Sequence, residues 1–265
     1  MIRQIRPVDP DAPIVVIDIG NTNTGLATWH LGTLRTPLSV PTGDAEALDQ
    51  AFAAHVKAAP SRLGAAVIGS VVPEALSRIR KHVSEVLEQD ALVVGDGIPV
   101  PIDVRIENLK GVGMDRICAA AAAFDTLQAA CTIVDFGTAV TVDLCDDDGT
   151  LLGGAILPGP RMQLRALHEY TAVLPEVTPG VPDCPFGRNT VEAMQTGVCR
   201  GLVGAVRGLV EGYATYLTRW PQVVATGGDA SFLAPHCDFL DNVVPYLTLR
   251  GIGLAYSKYL AAMGA

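Results

Sequence analysis

Apolar positions in this chain come in short continuous runs separated by longer stretches with helical spacing. Ile14 to Ile19, Ala65 to Val72, Ala91 to Val94, Ile133 to Phe136 and Gln222 to Thr226 read as buried strands. Thr33 to Val40 reads as a further strand. Between them the pattern predicts helices over Ala45–Ala59 with Asp44 as its cap, from Pro73 to about Gln89, over Met114–Ala130, over Arg161–Tyr170, from Asn189-Thr190 to about Thr218, and from Pro245 or Tyr246 to Met263. Strands alternating with helices in this rhythm indicate a mixed or parallel sheet covered by helices. The remaining stretches are punctuation. Met1–Pro13 is a loose leader, Gly95–Gly113 is Gly- and Pro-rich, Asp146–Gly149 is a hairpin turn, and Thr171–Gly187 has the composition of a lid or substrate loop.

One strand organises the rest. Ile14-Val-Val-Ile-Asp-Ile-Gly-Asn-Thr-Asn-Thr-Gly25 climbs through apolar residues to Asp18 and breaks into a small polar turn. Gly20 permits a tight turn and close approach of a ligand to the backbone, and Asn21, Thr22 and Thr24 carry short donors suited to phosphate oxygens. Asp18 cannot face a phosphate without a cation between them. Ile133-Val-Asp-Phe-Gly-Thr-Ala-Val-Thr141 repeats the pattern, with Asp135, Gly137 and Thr141 at the offsets of Asp18, Gly20 and Thr24. Such a repeat predicts two related lobes facing one cleft, with residues 1–113 as the first and 114–265 as the second.

Composition narrows the chemistry. The chain has 265 residues, 49% of them hydrophobic, enough for one large core or two modest ones, and the repeat favours two. A formal net charge of -9 disfavours nucleic acid as the main ligand. Six cysteines without a Cys-x-x-Cys pair read as free thiols rather than a zinc site. No apolar stretch approaches the ~18 residues that span a bilayer, and Met1-Ile-Arg-Gln-Ile-Arg lacks a signal-peptide core, so the expected location is the cytoplasm, with no membrane partner. The five histidines are scattered, and no nucleophile elbow supports acyl transfer.

Asp115 falls in the first turn of its helix, where the dipole favours a charged carboxylate and free amides attract anions. By pattern alone it is either a cap or a functional acid. Thr190 is likewise either a cap or a donor to a substrate, and Gly227-Gly228 ends the last strand with bare backbone against which a nucleoside fits.

These motifs carry a family resemblance. Two Asp-x-Gly turns in duplicated lobes look like the phosphate-clamping turns of the ATPases that include sugar kinases, actin and heat-shock chaperones. Within that superfamily Asp18-Ile-Gly-Asn-Thr22, Gly113-Met-Asp-Arg116, Asp135-Phe-Gly-Thr-Ala139, Gly153-Gly-Ala-Ile-Leu-Pro-Gly159, Asn189-Thr190 and Thr226-Gly-Gly-Asp-Ala230, in that order, resemble the type III pantothenate kinases. The resemblance implies an α/β fold of two duplicated ribonuclease H-like lobes, each a mixed β-sheet flanked by helices, with the active site in the interlobe cleft. It implies ATP-dependent phosphorylation of pantothenate, with Asp115 as the catalytic base. ATP would lie on Asp18, Gly20, Asn21, Thr22, Asn23, Thr24, Gly25, Thr138, Gly227 and Gly228. Asp18 and Asp135 would hold Mg²⁺, assisted by a monovalent cation, K⁺ or NH₄⁺. Gly113, Met114, Arg116, Thr190 and Ile106 would line the pantothenate site. A homodimer, with a substrate pocket completed by the neighbouring subunit, is implied as well. Ile106 and Leu109 depart from the Tyr and Pro usual in the family, which bears on the shape of the pantothenate pocket. Two other readings follow: a kinase of another small hydroxylated acid, and a non-catalytic regulatory relative, since some proteins resembling this family are described as transcriptional activators.

Overall fold

The computed structural model describes residues 11–59, 61–108 and 111–264, so most of the leader and Leu109 lie outside the described residues. The chain divides into two compact units, the first Met1–Thr126 with Tyr246–Ala265, the second Leu127–Pro245.

In the first unit, β1 (Ile14–Ile19), β2 (Asn23–His30) and β3 (Thr33–Pro41) form an antiparallel meander. After α1 (Ala45–Ala58), β4 (Ala66–Ser70) returns parallel to β1 on its other side, and α2 (Pro73–Leu87), β5 (Leu92–Val94) and β6 (Gly97–Ile98) extend the sheet to the order β3-β2-β1-β4-β5-β6. The Asp44 cap is present, its carboxylate accepting from Ala47 N at 3.0 Å, and Pro73 opens α2. The two-residue strands β6 and β7 (Asp103–Val104) lie in the stretch expected to be irregular.

β1 is apolar throughout because both faces are covered. Val15, Ile17 and Ile19 pack with Leu48, Phe52, Ile79 and Val83 of α1 and α2. Ile14 and Val16 pack on the opposite face with Cys118 of α3 (Met114–Leu127) and with Leu249, Ile252, Ala255 and Tyr256 of α7 (Leu247–Met263). Each such fully buried aliphatic side chain contributes roughly 1.5–3 kcal/mol. These contacts correct one expectation: residues 114–126 and the last helix belong with the first unit rather than the second. Leu249 and Tyr256 are packing positions of α7. A side chain at Gly253 would enter the Trp29 ring, and one at Gly251 would meet the Cys118 backbone, so these glycines allow α7 to lie close.

In the second unit, β8 (Cys131–Phe136), β9 (Ala139–Cys145) and β10 (Thr150–Pro158) repeat the meander. α4 (Pro160–Glu169) and the long α5 (Thr190–Leu217) follow, then β11 (Gln222–Thr226) parallel to β8 and, beyond α6 (Ala230–Leu233), β12 (Asn242–Val243) parallel to β11. The order β10-β9-β8-β11-β12 matches β3-β2-β1-β4-β5 strand for strand, so the internal duplication extends well beyond the two turns. Val134, Phe136, Val140 and Val142 pack against Val198, Leu202, Val206 and Val210 of α5. α6 and β12 carry no signal strong enough to be expected from the pattern. All six cysteines are free thiols. No helix among the described residues is long and apolar enough to cross a membrane.

Candidate active site

In the first unit the site begins where β1 ends. Strand alternation puts Asp18 on the face of Ile14 and Val16, toward α3 and α7. The turn beyond it is tight: Gly20 N donates to Asn23 O at 3.0 Å, and a Cβ on Gly20 would stand 2.9 Å from that carbonyl. Asn21, Thr22 and Asn23 are exposed at the rim of the turn, while Gly20 and Gly25 are half-buried.

Thr24 is placed differently from the sequence expectation. It is fully buried, and its hydroxyl is bonded to Thr42 Oγ1 at 3.0 Å, so it supports the turn from behind and presents nothing to a phosphate. The strand register explains this. Thr24 pairs with Ile19 and shares that residue's face, whereas Gly25 pairs with Asp18.

The second acid of this unit comes from α3. Gly113 precedes the helix because a Cβ there would lie on the Asp115 carboxylate, leaving that acid no room. Asp115 Oδ1 accepts from Arg116 N at 2.9 Å, in keeping with its first-turn position. Burial nonetheless dominates and raises the Asp115 carboxyl above its ordinary value, the Arg116 amide and charge lowering it only in part. Asp18 and Asp115 act on one place: the Cys118 thiol is pushed well up, first by burial and then by the charges of both acids. Met114 and Arg116 are half-buried, and Met114 reaches into the space left by Gly95 of the β5–β6 turn. Ile106 is half-buried in the preceding loop.

In the second unit Asp135 stands at the end of β8, on the strand face opposite Val134 and Phe136. Its surroundings are cleared by glycine. A Cβ on Gly227 would approach Asp135 Oδ1 to 2.4 Å and Phe136 O to 2.5 Å, and Gly227 takes φ +99, which only glycine adopts without strain. Gly159 is buried against the turn and donates to Thr138 O at 3.0 Å. Thr138 and Gly228 are exposed. The β8–β9 hairpin pairs Asp135 with Thr141, so Thr141 shares the face of Asp135, and its structural counterpart in the first unit is Gly25 rather than Thr24.

Thr190 is exposed at the first position of α5, and the cap is Asn189, whose Oδ1 accepts from Glu192 N at 3.0 Å while Glu192 Oε2 accepts from Arg188 N at 2.8 Å. The Thr190 hydroxyl is therefore not the cap. Arg161, which sequence reasoning passed over, is exposed and held to Asp229 at 2.9 Å, while Asp229 N donates to Phe136 O at 2.9 Å, next to Asp135. Its only sequence signal was proximity to the Gly-Pro pair that opens α4.

The donor set suits a hard cation bound sparingly. Among the described residues no group of three or more His, Cys, Asp or Glu is arranged to hold a metal ion. In the first unit Asp18, and in the second Asp135, is a hard carboxylate of the kind that suits Mg²⁺, and the surroundings of Asp135 are cleared by Gly137 and Gly227.

Comparisons with known proteins bear on this arrangement. The family model for type III pantothenate kinases matches residues 14–212. A type III pantothenate kinase of Geobacillus kaustophilus is 36% identical over 251 residues, which cover 92% of this chain and 97% of that protein. One of Dehalococcoides mccartyi is 36% identical over 252 residues, covering 92% and 96%. Among solved structures, a protein of Campylobacter jejuni described as a Baf family transcriptional activator matches with a TM-score of 0.62 at 21% identity, over 94% of this chain and all of that one, 100%. The (R)-2-hydroxyglutaryl-CoA dehydratase component A of Acidaminococcus fermentans matches with a TM-score of 0.56 at 13% identity, over 96% and 100%. At these identities the two structures speak for the fold alone.

Proposed function

This chain belongs to the type III pantothenate kinase family, and on that premise we propose that it transfers the γ-phosphoryl group of ATP to the primary hydroxyl of pantothenate, at the start of coenzyme A biosynthesis. Phosphoryl transfer needs positioning and charge neutralisation more than covalent help. The observation that supports the reading most is the pair of acids in the first unit, one at a phosphate-type turn and one raised by burial at a helix N-terminus.

Asp115 accepts the proton of the attacking hydroxyl as the new O–P bond forms and ADP leaves. A carboxyl raised by burial is a better base than an ordinary one. In the first unit the turn at Gly20–Asn23 offers donors to phosphate, and in the second Thr138 does. Arg116 in the first unit, and Thr190 in the second, are donors suited to the pantothenate carboxylate, an anion that the chain's net charge of -9 otherwise disfavours. Thr226 to Asp229 border the adenosine. Asp18 in the first unit and Asp135 in the second are the carboxylates that would hold Mg²⁺, which when bound would supply positive charge to offset the triphosphate, with K⁺ or NH₄⁺ as the monovalent cation. The working form is a homodimer in the cytoplasm.

The test is ADP release from Mg-ATP by the purified chain, with and without pantothenate, and with K⁺ replaced by Na⁺. Pantothenate-dependent turnover that needs K⁺ is the expected result. Binding of ATP without pantothenate dependence overturns the acceptor and favours another small hydroxylated acid, the second reading that Ile106 in place of the usual Tyr supports.

A further inference from the structure

Thr42, the residue just past β3, is 7% exposed and directs its N–H and its hydroxyl at the first turn. Its N–H donates to Thr22 O at 2.9 Å and its hydroxyl donates to Gly20 O at 2.8 Å. With that proton committed, Thr42 Oγ1 accepts from Thr24 Oγ1 at 3.0 Å, since a hydroxyl has one proton to give. Its carbonyl accepts from Arg78 Nη2 of α2 at 3.0 Å. Immediately afterwards Asp44 N bonds Pro41 O and Asp44 caps α1, so the segment that carries Thr42 is anchored at both ends.

The consequence is electrostatic. Carbonyl oxygens are the negative ends of the peptide dipoles, and two of those in this turn are Gly20 O and Thr22 O. Thr42 draws both to itself. At the turn of the second unit the backbone amides of Gly159 and Asp229 bond Thr138 O and Phe136 O.

We propose that Thr42, held in place by Arg78, is the positioning residue of the first phosphate turn, retaining the Gly20 and Thr22 carbonyls so that the turn presents donors to the nucleotide's phosphates. This rests on the reading above that the turn takes the phosphates of ATP, but not on pantothenate as the acceptor.

Calorimetric titration of the full chain with Mg-ATP, for the wild type and for Thr42→Val, Thr42→Ser, Arg78→Met and Arg78→Lys, tests it alongside steady-state kinetics and urea unfolding. Thr42→Val keeps the shape and removes the proton, leaving Gly20 O unpaired. It is expected to weaken Mg-ATP binding by about tenfold, the size of one buried hydrogen bond, and to raise KM for ATP in step while KM for pantothenate stays put. Thr42→Ser restores both to within about twofold, and Arg78→Met falls between, with Arg78→Lys nearer the wild type. A folded Thr42→Val protein that binds Mg-ATP as tightly as the wild type overturns the inference, and so does a Thr42→Ser protein as weak as Thr42→Val, which would assign the effect to packing of the methyl group. Should Thr42→Val fail to fold, Thr42→Ser and Arg78→Met decide by the same titration, since an unchanged affinity in Arg78→Met removes Arg78 from the device. Wild-type protein that binds Mg-ATP but leaves pantothenate untouched overturns the acceptor assignment while the binding comparison still decides the role of Thr42.

Discussion

The two Asp-Gly turns share a sequence pattern and a strand topology, and they are held by different means. The first is one residue longer, pairing Asp18 with Gly25 where the second pairs Asp135 with Thr141. Side chains brace the first, through Thr24, Thr42 and Arg78, whereas glycines and backbone amides brace the second, through Gly159, Gly227 and Asp229. The first unit also carries a second acid, Asp115, in the first turn of α3. Duplication thus preserved the strand frame, and each copy solved the placement of its carboxylate with local chemistry.

The largest expected effect separates the acids. Asp115→Asn should lower kcat by about 10²–10⁴-fold, the range of general-base catalysis, with little change in Mg-ATP affinity, while Asp135→Asn should weaken Mg-ATP binding first. Stopped initial-rate assays and titration distinguish them. Because burial raises the Asp115 carboxyl, the acid limb of kcat/KM should lie above the ordinary carboxylate range, activity falling as pH drops through it. Arg116→Met removes a charge that lowers this carboxyl and should move the limb to higher pH. The stability sign runs the other way from that of a salt-bridged acid. A folded-state value raised above the unfolded one means the acid favours folding below the unfolded value, a contribution lost as pH rises through the folded one. Asp115→Asn should therefore raise Tm at neutral pH, measured by calorimetry. A pH limb that disappears in Asp135→Asn and persists in Asp115→Asn would move the base to the other unit.

Next in size are the two space-clearing glycines. Gly113→Ala meets chiefly the Asp115 carboxylate, so it should reduce kcat strongly and leave urea stability nearly unchanged. Gly227→Ala meets both a carboxylate and the Phe136 backbone at φ +99, so it should lower activity and destabilise by about 1–3 kcal/mol. Equal destabilisation by the two would show that they do not differ in this way.

The smallest effect belongs to the threonines that sequence offset aligns. Thr24→Val removes a buried hydrogen bond and should cost about 1 kcal/mol in urea unfolding, while half-buried Thr141→Val should cost close to nothing. Reversal of that order would contradict the register assigned to the two hairpins.

Much of this was legible in the residues. β-branched runs ending in Asp-x-Gly announce buried strands and tight turns because burial and φ preferences act locally, and the boundaries of α1, α5 and β11 followed from caps and periodicity. The acids Asp18, Asp115 and Asp135 stand out in the sequence for the same reason: a charge that interrupts an apolar run, or stands at a helix start in Gly-Met-Asp-Arg, contradicts its surroundings. Tertiary structure decided what local pattern cannot carry. Which face Thr24 occupies depends on hairpin register, a one-residue matter invisible to offset counting. That α7 completes the first unit depends on packing between residues more than 200 positions apart, as in the Trp29–Ser257 hydrogen bond with a sequence separation of 228. Thr42 is an unremarkable threonine in sequence, and only the return of β3 beside β2 brings its N–H and hydroxyl to the carbonyls that they hold.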